Sequence, residues 1–197
     1  YYSQFGEDIV LEKIFSGKNN GHYVDIGAHH PKRYSNTYLL HKRGWSGTNV
    51  DPNPHTKKLF DRTRPNDRNM QCGVGNAGVG VYYQFSDPAV NTFNKEEAEH
   101  WMHKPWLEFL GTTEVSICPL TDFMESNIDL LTIDVEGMDL EILQTNDWSK
   151  CSPKVIAIED NEFARTPMQT QIYEYLAQLG YHFVAYLGPT LIVMREK

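Results

Sequence analysis

The sequence predicts an α/β fold built on a mostly parallel sheet, and three observations carry that expectation. The run His22-Tyr23-Val24-Asp25-Ile26-Gly27 reads as a buried strand that ends in an acid and a glycine turn. Asn49-Val50-Asp51-Pro52 is a second short strand ending in an acid. The apolar stretches 129–134 and 154–159 are separated by helically spaced residues, and strands that alternate with helices pair in parallel.

Residues 6–15 set Ile9, Val10, Leu11, Ile14 and Phe15 on one helical face, preceded by Ser3, with Glu7 and Asp8 in the first turn, where acids suit the helix dipole. Ser35 is expected to cap a helix running to Arg43 and closed by Gly44; a strand follows at 48–50. Asn53-Pro54 supplies the N-cap and first residue of a helix that ends before Pro65. A third strand is expected at 70–74, and the glycine-dense segment 73–80 turns into a hairpin strand at 81–85. Segment 86–110 holds Trp101, Trp106 and a short helix at 95–103; with its flanks it forms an inserted arm at 79–112, and long insertions of this kind carry substrate contacts. Beyond it come a strand at 115–118, a helical turn at 120–124, the strand at 129–134, a helix at 138–145, the strand at 154–159 and a helix at 169–179 stopped by Gly180. Two strands at 181–187 and 190–194, split by Gly188-Pro189, make a closing antiparallel hairpin.

With 197 residues, 40% of them hydrophobic, the chain is long enough for one well-packed core, and a single domain spanning 1–197 is expected. It opens on Tyr1 rather than Met, as one domain of a longer protein would. A formal net charge of −8 argues against a general nucleic-acid or anionic-membrane binder, and the basic cluster Lys57, Lys58, Arg62, Arg64 and Arg68 reads as the solvated face and exit of a helix. Cys72, Cys118 and Cys151 are odd in number and form no C-x-x-C, which suggests neither a disulfide framework nor a zinc site and favours a reducing, cytoplasmic compartment. No apolar run approaches the roughly 18 residues of a membrane span, and the N-terminus is too polar for a signal peptide.

In open α/β sheets ligands bind at the carboxyl ends of the strands, where Asp51 is placed to bond the ribose hydroxyls of a nucleoside cofactor. A dinucleotide fold needs G-x-G-x-x-G to cradle its pyrophosphate, but here Gly27 is followed by Ala28, His29, His30 and Pro31. Asp25 at the same turn would repel phosphates and suits an ammonium and a sulfonium. S-adenosylmethionine is therefore favoured over NAD.

Seven segments occur in a recognisable order: Ser3-Gln4-Phe5-Gly6-Glu7-Asp8, Val24-Asp25-Ile26-Gly27-Ala28-His29, Ser35-Asn36-Thr37-Tyr38, Gly44-Trp45, Val50-Asp51-Pro52, Asn91-Thr92-Phe93 and Ile133-Asp134-Val135-Glu136-Gly137. On these the chain resembles the FkbM-type S-adenosylmethionine-dependent methyltransferases. The resemblance implies a Rossmann-like class I methyltransferase fold, a mostly parallel seven-stranded sheet with a C-terminal antiparallel hairpin. It also implies O-methylation of a hydroxyl, most readily on a sugar of a glycan, polysaccharide or glycosylated metabolite. By the same likeness Asp25 and Gly27 lie on the methionine side of the cofactor, Ala28 and Asp134 also bind it, and Asp51 takes the ribose diol. Cys72 and Gly73 flank the adenine, while Gln4, Ser35, Asn36 and Thr37 close over the carboxylate. Simpler roles stand beside these: Ser35 as a helix cap, Asp8 as a first-turn acid, Cys72 as a core residue. The rivals for the whole chain are a catalytically silent cofactor-binding module and an NAD-dependent sugar oxidoreductase or epimerase.

A sugar hydroxyl is a poor nucleophile until it loses its proton, which a general base or a divalent metal can take up or acidify. His29 and His30, on the turn after the first strand, and Glu136 are the candidate bases. Asp134, Asp160 and Asn161, with Glu159 as a substitute, offer hard oxygen ligands for Mg²⁺ or Mn²⁺ at two strand ends. Asn91, Thr92 and Phe93, with Trp101 and Trp106, are expected to hold the acceptor.

Overall fold

A computed structural model describes residues 1–196. The chain runs α1 (Glu7–Ile14), β1 (His22–Ile26), α2 (Tyr38–Lys42), β2 (Ser46–Val50), α3 (Pro54–Thr63), β3 (Arg68–Met70), β4 (Gly73–Val74), β5 (Gly78–Phe85), α4 (Lys95–Met102), β6 (Phe109–Cys118), β7 (Leu130–Ile133), α5 (Asp139–Gln144), β8 (Val155–Glu159), α6 (Gln171–Gln178), β9 (His182–Leu187) and β10 (Thr190–Met194). Seven strands form one sheet in the order β3-β2-β1-β7-β8-β10-β9. The ladders from β3 to β8 are parallel, whereas β10 runs antiparallel to both β8 and β9. This is the class I methyltransferase sheet with its C-terminal antiparallel hairpin.

The strand order reverses between β1 and β7, which opens a crevice at their carboxyl ends. Alternation along β1 divides the two faces. Val24 and Ile26 pack into a core with Leu131, Ile133, Ile142, Leu143, Ile156, Ile158 and Leu176. Tyr23 packs on the other face with Leu11, Leu40, Trp45, Leu130, Val155 and Ile192. Each fully buried aliphatic side chain contributes about 1.5–3 kcal/mol, so these two layers hold the strand ends in register. Gly27, at φ +74, lies so near β7 that a Cβ there would overlap the carbonyl of Asp134; only glycine lets the two strand ends meet.

Three elements differ from the sequence expectation. The strand expected at 70–74 is two: β3 ends in the large sheet at Met70, and β4 leaves it to pair with Ile117 and Cys118 of β6, so Cys72 sits at a corner. The strand expected at 115–118 is the end of the ten-residue β6, which pairs antiparallel with β5. Most of its first half is exposed and shows no buried alternation, so it carried no periodic signal. The helix expected from Ser35 begins at Tyr38; the Ser35 hydroxyl accepts from the amides of Thr37 and Tyr38 and turns the chain into it.

Candidate active site

The crevice at the switch point is a cleft with about 570 Å³ of open space, its solvent-filled mouth included. Gly27 and His29 from the β1 turn, Asp51 from the end of β2, Cys72, Gly73 and Val74 from the β3–β4 corner, and Asp134 and Glu136 after β7 all line it. Met138 and Ile142 give it an apolar side, while Tyr82, Asn91, Thr92 and Phe93 wall it from the arm.

Asp51 is held from two directions. Its Oδ2 accepts from the His29 amide at 2.9 Å and its Oδ1 from the Asn53 amide at 2.8 Å. Burial pushes its carboxyl up to about 6 against the pull of those two donors. His29 adopts φ +50, and its carbonyl accepts from the Thr56 hydroxyl at 3.0 Å. Burial, with the His30 and Arg33 charges beside it, lowers the His29 imidazole.

Carboxyl groups collect at and behind the β7 end of the cleft. Asp134 faces the open cleft, yet the protein crowded around it and the carboxylates of Glu159 and Asp25 push it up to about 7. Glu136, at φ +55, is pushed up to about 9 by burial and by Glu159 and Asp134. Asp139 and Glu159 each keep one buried carboxylate oxygen without a hydrogen-bond partner among the described residues. Such a wall favours an organic cation.

The arm reaches this wall directly. The Thr92 hydroxyl donates to the Glu136 carbonyl at 3.2 Å, and the Asn91 side chain accepts from the Phe85 amide at 2.8 Å. Phe93 lies so close over Gly73 and Gly80 that a Cβ at Gly73 would come within 2.8 Å of its ring. Asn91, Thr92 and Phe93 therefore wall the same cleft as Asp51. Tyr82, to which the sequence assigned no role, is buried and lines the cleft with Asp51 and Asn91. Trp101 packs against a small cluster of Phe85, Ala98 and Leu107, and Trp106 is exposed; neither lines the cleft.

Several expected site residues lie elsewhere. Asp25 points to the face of β1 opposite Ile26, where its carboxylate accepts from Thr37 at 2.7 Å and Thr132 at 3.2 Å, buried and raised by that burial. Ala28 is buried behind Asp51, its amide bonded to the Val50 carbonyl. Ser35 and Thr37 are also buried, bonded to the Arg64 guanidinium, while Gln4 is exposed and Asn36 half-buried, all four away from the cleft lining. His30 spends its Nδ1 accepting from the amides of Lys32 and Arg33, a turn-closing role.

Of the expected metal ligands, Asp134 and Glu159 lie close enough for their charges to interact, while Asp160 is engaged by the C-terminal part of the chain. Asp160 accepts from the Thr170 hydroxyl at 2.6 Å, and its amide donates to the Pro189 carbonyl at 2.8 Å in the C-terminal hairpin. Asn161 is exposed beside it. Among the described residues no group of three or more His, Cys, Asp or Glu side chains is disposed to hold a metal ion. No helix among them is long and apolar enough to cross a membrane.

Comparison with known proteins agrees with this fold. The family described as the methyltransferase FkbM domain matches residues 25–183. No curated protein matches the chain. The crystal structure of methyltransferase FkbM from Methylobacillus flagellatus KT is 14% identical and superposes with a TM-score of 0.54 over 89% of this chain, a likeness of fold. The chain spans 44% of that protein. A TehB-like SAM-dependent methyltransferase from Corynebacterium glutamicum ATCC 13032 Kitasato is 10% identical, with a TM-score of 0.46 over 98% of this chain and 88% of its own.

Proposed function

The chain belongs to the FkbM methyltransferase family, and on that premise we propose that it transfers a methyl group from S-adenosylmethionine to a hydroxyl of a sugar in a glycan, polysaccharide or glycosylated metabolite. The observation that carries the cofactor assignment is Asp51, a strand-end carboxylate oriented into the cleft by two backbone amides. A carboxylate so fixed suits a ribose diol, which donates two hydrogen bonds side by side. The apolar side made by Val74, Met138 and Ile142 suits an adenine, and the acidic wall at Asp134 and Glu136 suits the charged methionine end. The sugar acceptor follows from the family resemblance.

When bound, S-adenosylmethionine supplies a methyl on a positively charged sulfur. The work left to the chain is to orient the acceptor oxygen in line and to remove its proton. His29 lines the cleft and, with its imidazole lowered, is neutral at pH 7 and able to accept that proton on a ring nitrogen. Glu136, pushed up to about 9, holds its own proton at neutral pH and is poorly suited to the same task before a cation enters the cleft. His30 faces its own turn.

Calorimetry with S-adenosylhomocysteine and NAD tests the cofactor, and mass spectrometry of candidate glycans incubated with the protein tests the acceptor. Binding of S-adenosylhomocysteine without NAD, and a methyl mass increment on a glycan hydroxyl, are expected. Binding with no turnover on any acceptor would instead favour a silent cofactor-binding module.

A further inference from the structure

Arg64 follows the last turn of α3 and is wholly buried. A buried guanidinium is costly unless its donors are satisfied, and here they are distributed over the chain with unusual completeness. Nε and Nη2 donate to the Pro31 carbonyl at 3.1 and 2.5 Å, and Nη2 donates to the Ser35 hydroxyl at 2.9 Å. Nη1 donates to the Thr37 hydroxyl at 2.8 Å and the Tyr23 hydroxyl at 3.2 Å. The two buried carboxylates nearby are reached through single hydroxyls: Thr37 donates onward to Asp25, and Tyr23 donates onward to Asp67 at 2.5 Å.

Three of those partners belong to one segment, the turn from Ala28 to Thr37 that leaves β1. That turn has bonds of its own from His30 and Ser35 but carries backbone strain, because two of its non-glycine residues, His29 at φ +50 and Tyr34 at φ +57, adopt the left-handed conformation. It is also gripped from the unit that follows. Asp51 takes the His29 amide and Thr56, in the first turn of α3, takes the His29 carbonyl. Arg64, past the last turn, takes Pro31, Ser35 and Thr37. Arg64 itself does not line the cleft.

We propose that Arg64 is a positioning residue: its guanidinium clamps the turn between Pro31 and Thr37 so that Gly27 and His29 present a fixed surface to the cofactor, whose affinity therefore depends on a side chain that never touches it. The inference rests on the reading of the cleft as a cofactor site. Lysine cannot span Pro31, Ser35 and Thr37 at once, so Arg64→Lys keeps the charge and loses the fork. Ser35→Ala removes one spoke and leaves the charge in place. Leu176→Ala, a core truncation outside the cleft, controls for loss of stability alone.

Affinity for S-adenosylhomocysteine is measured by calorimetry below the melting temperature of each variant, and the Gly27 and His29 amide resonances are followed by ¹⁵N NMR. Arg64→Lys is expected to weaken binding about tenfold or more and to shift both amides, as misalignment from a distant residue does, while Leu176→Ala binds as wild type with both amides unmoved. If Arg64→Lys does not fold, Ser35→Ala decides, with a smaller loss in the same direction. Wild-type binding in the folded Arg64 and Ser35 variants, or an equal loss in Leu176→Ala, overturns the clamp. A wild-type protein that binds no S-adenosylhomocysteine overturns the cofactor reading itself.

Discussion

The His29 amide donates to the Asp51 carboxylate at 2.9 Å, tying the turn after β1 to the end of β2 across the floor of the cleft. The bond does two things at once: it holds His29 in its left-handed conformation and it aims Asp51 before any ligand arrives. Without it, orienting the carboxylate would cost side-chain entropy on binding.

Asp51→Ala is expected to weaken S-adenosylhomocysteine binding by about 1–3 kcal/mol, the cost of leaving donors unpaired in a buried site. Because the Asp51 carboxyl is pushed up to about 6, its ionised form is lost as pH falls through that value. Wild-type affinity should therefore decline between pH 7 and pH 5, and the Asp51→Ala variant should lack that part of the decline. Calorimetry across this range checks both, and a pH-independent wild-type affinity would remove the ribose assignment.

The acidic wall makes a separate prediction about protons. In the free protein Asp134 is pushed up to about 7 and Glu136 to about 9, so both carry protons for part or all of the time at neutral pH. A cationic ligand favours their charged forms, and its binding must release protons. Binding heats measured at pH 7 in phosphate and in Tris should differ by the buffer ionisation contribution, and the difference should shrink in Glu136→Gln. The same raised values mean that stability of the free protein falls as pH climbs from the ordinary carboxylate range toward 7, since the folded state binds more protons there. Identical heats in both buffers would contradict the assignment.

Phe93→Ala is expected to reduce cofactor affinity as well as acceptor turnover. Its ring covers Gly73 and Gly80 in the cleft that Asp51 also lines, and losing that contact should cost roughly 1–2 kcal/mol of binding. Unchanged affinity for S-adenosylhomocysteine with lost methylation would return this segment to the purely acceptor-binding role that its position in the sequence suggested.

His29 and His30 should separate cleanly in kinetics. His29→Ala is expected to lower the methyl-transfer rate by about 10²–10⁴, the usual contribution of a positioned base, while His30→Ala costs little because its Nδ1 serves only the Lys32 and Arg33 amides. Since burial lowers the His29 imidazole, the rate should climb with pH at values below the ordinary histidine range. A His29→Ala variant that keeps the wild-type rate would pass the role to Glu136.

How far the site could be read in advance follows from which signals are local. Apolar alternation with a terminal acid marks β1, β2, β7 and β8, a cap and proline mark α3, and glycine marks the turn at Gly27; each depends on neighbours along the chain. Residues at strand ends therefore fell into one cleft as expected: Gly27, Asp51, Cys72, Gly73 and Asp134. Helices between strands implied a parallel sheet, and the seven-stranded form was implied by the family resemblance rather than by these local signals.

The side on which a buried polar group finds its partner was beyond that reach. Asp25 is bonded by Thr132, 107 residues away, and Asp160 by a threonine on the approach to α6. Arg64 has the composition of a solvated helix exit, yet its ring of acceptors at Pro31, Ser35, Thr37 and Tyr23 draws it fully inside. The sequence by itself determined the sheet, its helices and the strand-end acids, because short-range periodicity and capping specify them. Only the tertiary structure decided which polar side chains face the cleft and which brace it from behind, because a charge is buried only where several distant groups converge to satisfy it.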